Sequence, residues 1–462
     1  MSAPTIAGPD RSVVPGRGPL RPFHFPQVHR RALANGMPVL VAELRNFPIV
    51  TVDLVLDAGG LAEPEGRNGL SSVAAGLLES GAGDRSAAEI AELVDDLGLS
   101  LDAGASWDTA QCGFTCLRSR LEPGFQLLAD LVRHPTFPEG EVARVVDERV
   151  TGIVQRRGTP SAAADEAANR WIFAEGTTFA RPLSGMLRTL QGIEREDVAA
   201  FHAARYRADS ATLVAAGDAS VDEIVALAER FFGDWQGGAG PVAPAEVRPR
   251  ADRTTIVLVD RPGSVQSELR VGHVGIERDA PDHFAVTVMN AILGGTFSSR
   301  LNMNLRERLG YTYGASTSFA MRRQPGPFSM STAVQTEVTA HAVSEMLRDL
   351  RGMQETEVTA AELDDARNYL AGVFPLGLQT TDGVSGKLST IATYGLADDY
   401  YQDYRERLLA VTADDVMAAA RERLWPDRAA VVIGGDAEKV REELEALDLG
   451  PVVVLDPEEL ES

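Results

Sequence analysis

The sequence predicts an α+β fold made of two homologous domains, each a largely antiparallel sheet with helices packed on it. Three observations lead to this prediction. The chain has 462 residues, which is more than one ordinary hydrophobic core accommodates. A segment near the middle of the chain is repeated near its end. Helical and strand periodicities also occur in separate runs, whereas a doubly wound parallel sheet requires regular alternation of strand and helix.

The repeat indicates that one unit was duplicated. Residues 196–218 read EDVAAFHAARYRADSATLVAAGD and residues 414–436 read DDVMAAARERLWPDRAAVVIGGD, so they align without a gap at an offset of 218 residues (414 minus 196). Each copy predicts a helix with an acidic first turn, followed by an apolar strand that ends in Gly-Asp. A chance match of two helix–strand units is the alternative, and we favour duplication.

A segment rich in Gly, Pro and Ala divides the two halves. Residues 236–251 show neither helical nor strand periodicity, which predicts a linker. We therefore expect an N-terminal extension over 1–26, an N-terminal α+β domain over 27–235 and a C-terminal α+β domain over 252–462. The acidic run at the end of the chain, 456–462, is expected to be a frayed tail.

Each half is predicted to contain its own strands and helices. In the first half, the periodicity predicts strands at 38–43, 50–57, 99–105 and 111–117 and helices at 70–78, 87–97, 122–132 and 140–155. In the second half, it predicts strands at 255–259 and 267–274 and helices at 284–293, 340–352 and 360–373.

The charge balance narrows the range of partners. With 67 acidic and 44 basic residues the net charge is −23, which disfavours nucleic acid and anionic membranes as main partners. No apolar run approaches the roughly 18 residues of a membrane span. Residues 1–26 lack the apolar core of a secretory signal, so we expect a cytoplasmic protein.

The chain has two cysteines, Cys112 and Cys116, in one predicted strand. The strand would hold their sulfur atoms apart, and we interpret them as buried thiols.

The most informative segment is residues 293–318, LGGTFSSRLNMNLRERLGYTYGASTS. Its glycine pair is expected to end the preceding helix, a second helix follows, and residues 311–318 are predicted to form a strand. A glycine pair, then S-R-L, L-R-E and G-x-x-Y in this order, resembles the C-terminal half of the insulinase-type (pitrilysin-like, M16) peptidases. The resemblance extends along the whole chain and implies a mitochondrial-processing-peptidase-like metallohydrolase fold with a clam-shell arrangement.

The resemblance assigns roles to two residues of this segment. In the family, an Arg and a Tyr reach into the active site of a neighbouring catalytic domain, and by motif position these are Arg306 and Tyr313. A guanidinium and a phenol can stabilise negative charge that develops on a peptide carbonyl oxygen. Tyr311 is the alternative phenol, because residues two apart on a strand share a face. In the alternative without function, Arg306 is a solvated helix residue and Tyr313 a core strand residue.

The zinc motif of the catalytic members is missing. Those members carry H-x-x-E-H, which places two imidazoles on one face of a helix beside the glutamate that activates water. Here Ser72 and Gly76 stand at the histidine positions, Ala75 at the glutamate, and Gly152 where the third ligand is expected. The nearby carboxylates of Asp147 and Glu148 do not replace a four-part site. The seven histidines (24, 29, 134, 202, 273, 283 and 341) show no metal-binding spacing. We expect no zinc in this chain.

The resemblance therefore implies a non-catalytic subunit of a heterodimeric zinc metallopeptidase. The chain would be inactive alone and would supply Arg306 and Tyr313 to an H-x-x-E-H subunit of the same family, which holds the zinc, while both enclose a peptide substrate. The first alternative is a non-enzymatic scaffold or peptide-binding core subunit of a larger complex. The second is a peptidase that is active alone through an unorthodox metal site.

Overall fold

A computed structural model of the chain describes residues 12, 18, 20–457 and 459. The predicted N-terminal extension and the predicted frayed tail fall largely outside these residues. Within them, helices pack on two six-stranded sheets, one in each half of the chain, which confirms the α+β prediction.

Six of the strands described in the first half form a mixed sheet that is mostly antiparallel, and two short strands pair apart from it. They are β1 (Val28–Ala32), β2 (Pro38–Glu43), β3 (Ile49–Leu56), the short pair β4 (Gly81–Ala82) and β5 (Arg85–Ser86), β6 (Ser100–Ala105), β7 (Ala110–Leu117) and β8 (Ala211–Gly217). The described sheet has the order β1-β2-β8-β3-β7-β6, and β4 pairs with β5 apart from it. Only the β2–β8 pair of the described sheet is parallel.

The helices of the first half are α1 (Leu70–Gly76), α2 (Ala87–Leu97), α3 (Leu121–Arg133), α4 (Glu139–Arg157), α5 (Pro160–Ile172), α6 (Leu187–Leu190), α7 (Arg195–Arg205) and α8 (Val221–Phe232). Apolar side chains of α1, α3, α7 and α8 form one buried core with the inner face of the sheet; Val73, Leu128, Val198 and Ile224 are fully buried there. This packing places the helix with the degenerate zinc motif against the sheet.

The second half repeats this plan. Its strands are β9 (Thr255–Asp260), β10 (Gln266–Val274), β11 (Ala315–Phe319), β12 (Pro327–Gln335), β13 (Ala430–Gly435) and β14 (Val452–Leu455), and among the described residues their order is β11-β12-β10-β13-β9-β14. Its helices are α9 (His283–Asn290), α10 (Arg300–Asn302), α11 (Thr339–Glu355), α12 (Ala360–Val373), α13 (Thr381–Tyr394), α14 (Tyr404–Ala410), α15 (Ala413–Arg423) and α16 (Ala437–Glu445).

The repeated sequence occupies the same place in both sheets. One copy is α7 followed by β8 and the other is α15 followed by β13. Strand β8 lies between the parallel β2 and the antiparallel β3, and β13 lies between the parallel β9 and the antiparallel β10. The duplication inferred from the sequence is thus confirmed in topology.

The two halves exchange a helix. Helix α5 packs on the second sheet, where Ala163 and Ala167 contact Val257 and Val432. Helix α13 packs on the first sheet, where its apolar face, including Leu388, joins the buried core on the outer side of that sheet. Each sheet is therefore covered by its own helices on one face and by a helix of the other half on the opposite face. Neither exchanged helix was predicted from the sequence.

Polar side chains fasten both exchanged helices. Asp382 at the start of α13 accepts a hydrogen bond from Thr51 Oγ1 (2.7 Å), and Asp165 of α5 accepts one from Arg270 Nε (2.5 Å).

Residues 236–251 join α8 to β9 without a helix or sheet strand within the part described. The domain boundaries drawn from these residues stay a prediction. No described helix combines the length and apolar character needed to cross a membrane.

Candidate functional site

The segment with the family motif folds as two helices interrupted by wider turns. Helix α9 continues as a π-helical turn over Ala291–Gly295, and α10 continues as another over Met303–Arg308. Gly310, with a positive φ of 67°, ends the second helix in the left-handed conformation that glycine adopts without strain. Such π-helical turns are rare and concentrate at functional positions.

The predicted strand over 311–318 is corrected by the structure. Strand β11 begins only at Ala315, and residues 311–314 form an irregular loop. The Thr312 hydroxyl accepts a hydrogen bond from Gly314 N (3.1 Å) and donates one to Gly314 O (2.9 Å), so these backbone groups do not join a β ladder. The amide of Asn302 bonds both backbone groups of Ala315, which fixes where the strand starts.

The loop separates the two candidate phenols. Tyr313 is 98% exposed, so it is not the core strand residue of the alternative interpretation. The Tyr311 hydroxyl lies 2.7 Å from His341 Nδ1, and its partly buried ring packs against the hydrophobic core of the second half, which includes Leu305 and Met346. The prediction that Tyr311 and Tyr313 share a strand face is wrong, because neither is in a strand.

Arg306 lies on the second π-helical turn, between Met303 and Arg308. Its guanidinium stacks 4.2 Å from the ring centroid of Phe297, and its side chain is 33% exposed. Phe297 is 68% exposed and Met303 49% exposed, so the segment that carries Arg306 and Tyr313 also presents large apolar side chains to solvent. Clustered exposed apolar groups are typical of protein or peptide interaction surfaces.

A polar cluster joins the second π-helical turn to helix α11. Asn304 donates to Glu345 Oε2 (2.9 Å) and to Asp349 Oδ2 (2.8 Å), and Arg308 Nη2 donates to the same Glu345 oxygen (2.7 Å). Burial raises the pKa of Asp349 to about 6. These contacts from α11 fix the segment that carries Arg306.

The raised pKa predicts how stability depends on pH. An aspartate in the unfolded chain has a pKa near 3.9, so the folded state keeps its Asp349 proton up to a higher pH. The contribution of Asp349 is therefore most favourable at low pH and is lost as pH rises towards 6. Asp349→Asn should match the wild type near pH 4 and exceed its free energy of unfolding by about 1–2 kcal/mol at pH 7.5.

Urea unfolding of both proteins at the two pH values measures this difference. The exposed Asp364 gives a control, because Asp364→Asn should shift stability by less than about 0.5 kcal/mol at either pH. Equal free energies of unfolding for wild type and Asp349→Asn at pH 7.5 would contradict a raised pKa of Asp349 in the folded state.

The degenerate zinc positions lie together on facing helices. Ser72, Ala75 and Gly76 are on α1, and Gly152 is on α4. Ala75 is fully buried. None of these four side chains offers a metal ligand comparable to histidine or glutamate. Across the described residues, no group of three or more His, Cys, Asp or Glu side chains is placed to hold a metal ion.

Two arginines of α4 lie against the vacated positions. Arg149 Nη2 donates to Ser72 O (2.9 Å) and would lie 3.0 Å from a Cβ added at Gly76. Arg156 Nη1 would lie 3.5 Å from a Cβ added at Gly152. Burial lowers the pKa of Arg149, and the nearby Arg156 lowers it further. These residues therefore do not fit a zinc ion, because cations border the place where one would bind.

Both cysteine thiols are buried, and burial also shifts the pKa of three imidazoles. Cys112 and Cys116 are free and buried, as predicted, and burial raises the pKa of Cys116 to about 12. Burial lowers the pKa of His202 and His273 to about 4 and that of His283 to about 3. Imidazoles with a pKa this low are neutral near pH 7, and among the described residues none of them belongs to a group of side chains placed to hold a metal ion.

Three residues beside the candidate sites, Arg149, Arg156 and His341, were not singled out from the sequence as neighbours of those sites. Arg149 and Arg156 stand three residues before and four residues after Gly152, a helical spacing that could have indicated them. The pairing of His341 with Tyr311 had no signal in the sequence, because the two residues come from separate elements.

Comparison with known proteins gives matches over both halves. Residues 39–166 match the family model described as insulinase (peptidase family M16), and residues 192–370 match the model described as peptidase M16 inactive domain. An uncharacterized zinc protease of Mycobacterium tuberculosis is 26% identical over 429 residues, 92% of this chain and 97% of the relative. One of Rickettsia bellii is 22% identical and covers 87% of this chain and 96% of its own length.

Solved structures share the fold. A peptidase M16 inactive domain from Pseudomonas fluorescens superposes with a TM-score of 0.83 at 26% identity, covering 88% of this chain and 98% of the other. A protease from Helicobacter pylori superposes with a TM-score of 0.82 at 18% identity, covering 88% of this chain and 99% of the other, which shows the fold alone.

Proposed function

Because the chain belongs to the M16, or insulinase-type, peptidase family, we propose that it is the non-catalytic subunit of a heterodimeric zinc metallopeptidase. It lends Arg306 and Tyr313 to the active site of a partner subunit of the same family that carries H-x-x-E-H. The zinc chemistry belongs to that partner, and the two chains bind a peptide between them. A cytoplasmic location, expected from the sequence, is part of this proposal.

The exposure of Tyr313 is the observation that carries the proposal. Tyrosine rings usually bury their apolar face and bond their hydroxyl within the protein. Tyr313 does neither, since 98% of it is exposed on a loop whose backbone is fixed by Thr312 and Gly314. A phenol presented in this way is available to a partner or substrate.

The two side chains suit a carbonyl oxygen in the transition state of peptide hydrolysis. Negative charge develops on that oxygen, and a phenol hydroxyl and a guanidinium donate hydrogen bonds to it. The polar cluster of Asn304, Glu345 and Asp349 holds the helix of Arg306 in advance, so little reorganisation is needed. Exposed Phe297 and Met303 offer apolar contact to the partner.

The residues at the degenerate zinc positions support the proposal that this chain does not hydrolyse peptides by itself. Ala75 has no group that accepts a proton, and Gly76 and Gly152 have no side chain, so neither metal binding nor general-base chemistry is available at these positions.

Reconstitution tests the proposal. A family member with H-x-x-E-H from the same cell would be mixed with this chain, and cleavage of a quenched fluorescent peptide would be followed. We expect kcat/KM of the mixture to exceed that of the partner alone by about a hundredfold, and this chain alone to be inactive. A partner that is as active alone as in the mixture would contradict the proposal and favour the scaffold role.

A further inference from the structure

A cavity of about 470 Å³ opens beside the degenerate zinc positions. Ser72 lines it on one side, and Arg322, from the loop between β11 and β12, reaches it from the second half of the chain. Arg156 and Arg181 also line it. Its size is in the range of roughly 300–1,000 Å³ that small-ligand sites occupy. The proposed function does not use this cavity.

The three arginines that line the cavity have few partners. The Arg322 guanidinium lies 4.6 Å from the ring centroid of Phe179 and 5.2 Å from that of Trp107, and it forms no hydrogen bond or ion pair with any residue the structure describes. Burial lowers the pKa of Arg322 to about 10. A guanidinium has five N–H donors, and buried donors without acceptors are costly.

Arg181 and Arg156 are similarly short of acceptors. The nearest carboxylate to Arg181 is that of Glu63 at 3.6 Å, and Arg181 Nε is buried without a hydrogen-bond partner. Arg156 Nη2 makes a long hydrogen bond of 3.4 Å to Ser184 Oγ. Both side chains therefore retain donors for a further acceptor.

Guanidinium groups also lie beside the degenerate zinc positions next to the cavity. Arg149 bonds the carbonyl of Ser72 and fills the space beside Gly76, while Arg156 lies over Gly152. Guanidinium groups thus border the place where catalytic relatives would bind a divalent cation. Asp165 and Glu166 also line the cavity, and the charge of Asp165 is matched by Arg270 at 2.5 Å.

We propose that this cavity binds a carboxylate of the peptide substrate, either its C-terminal group or an acidic side chain. Arginine is suited to this ligand because its planar fork matches the two carboxylate oxygens. An anion would supply an acceptor to Arg322 and further acceptors to Arg156 and Arg181. The loss of the zinc ligands would then have produced an anchoring site for substrate. The inference deepens the proposed function and rests on it for the identity of the ligand as a peptide.

Peptide binding to the isolated chain tests the site without any partner subunit. Fluorescence anisotropy would compare three labelled heptapeptides: one with a free C-terminal carboxylate, the same sequence with a C-terminal amide, and the amidated sequence with one internal glutamate. We expect at least one carboxylate peptide to bind about tenfold more tightly than the neutral amide, as charge-assisted hydrogen bonds predict. The peptide that gains affinity identifies the source of the carboxylate.

Variants connect this gain to the cavity. Arg156→Gln and Arg322→Gln should each reduce the tenfold preference to about twofold or less. Arg144, exposed on the same helix α4 and paired with Glu141 and Glu148, gives the matched control, because Arg144→Gln should keep the preference. Arg156 is solvent-exposed, so its variant serves even if Arg322→Gln fails to fold.

Equal affinity of wild type for all three peptides would overturn the inference, and so would a preference that persists in Arg156→Gln. Neither result bears on activation of the partner subunit, which the reconstitution assay measures separately. Conversely, loss of activation with an intact carboxylate preference would overturn only the subunit role.

Discussion

Replacing Tyr313 with phenylalanine is expected to lower kcat of the reconstituted peptidase about a hundredfold, the usual effect of removing one donor to a developing oxyanion. The KM should change little, because the hydroxyl acts mainly in the transition state. Arg306→Ala should lower kcat at least as much, since the stacked guanidinium is held in position by Phe297 at 4.2 Å. Steady-state kinetics of the mixture measures both effects.

Two other tyrosines make this test specific. Tyr311→Phe should lower kcat no more than about threefold, because the hydroxyl of Tyr311 is engaged by His341. Tyr369, 51% exposed on α12, is the control, and Tyr369→Phe should leave activity unchanged. A hundredfold loss in Tyr311→Phe together with a normal Tyr313→Phe would assign the catalytic phenol to Tyr311 and contradict our choice.

Substitution of Gly272 by alanine is expected to lower the free energy of unfolding by about 3 kcal/mol, the upper end of the usual cost of overpacking. An added Cβ would lie 2.6 Å from Ile172 Cδ1 of the exchanged helix α5 and 2.6 Å from the backbone oxygen of Phe328. The Phe328 oxygen belongs to the neighbouring strand β12 and has little freedom to move, so the added Cβ strains that strand and also crowds the contact with Ile172. Urea unfolding followed by circular dichroism measures the loss.

Gly386 provides the opposite control for that experiment. It is exposed within the exchanged helix α13, and an added Cβ would have no neighbour within 4 Å. Gly386→Ala should therefore raise stability by about 0.5–1 kcal/mol through the higher helix propensity of alanine. An unfolding midpoint of Gly272→Ala equal to that of the wild type would show that Ile172 and Phe328 do not pack around Gly272 as described.

Much of the fold could be predicted from periodicity, and the exceptions have physical reasons. Strand β2 and helices α2 and α12 begin and end as predicted. Helix α5 was missed because its buried face is built from alanines, whose small side chains give a weak apolar pattern. Helix α13 was missed because Gly383, Gly386 and several Ser and Thr residues give it low helix propensity.

The position of the candidate site in the chain could be predicted from the sequence, but its local conformation could not. The motif gave the positions of Arg306 and Tyr313, whose roles stay predictions. The π-helical turn depends on Asn304 reaching Glu345 and Asp349, which lie 41 and 45 residues later in the chain. Contacts over such distances leave no local pattern. The late start of β11 has a similar cause, because Asn302 pins Ala315 across the segment.

The exchange of α5 and α13 constrains how the duplicated gene arose. A single ancestral repeat would have exposed the outer face of its sheet, with no helix of its own to cover it. The simplest remedy is a second identical copy that donates its helix and receives one in return, which is the two-fold arrangement of a symmetric dimer. The ancestor would thus have been a swapped homodimer, and fusion of its genes fixed the pair in one polypeptide.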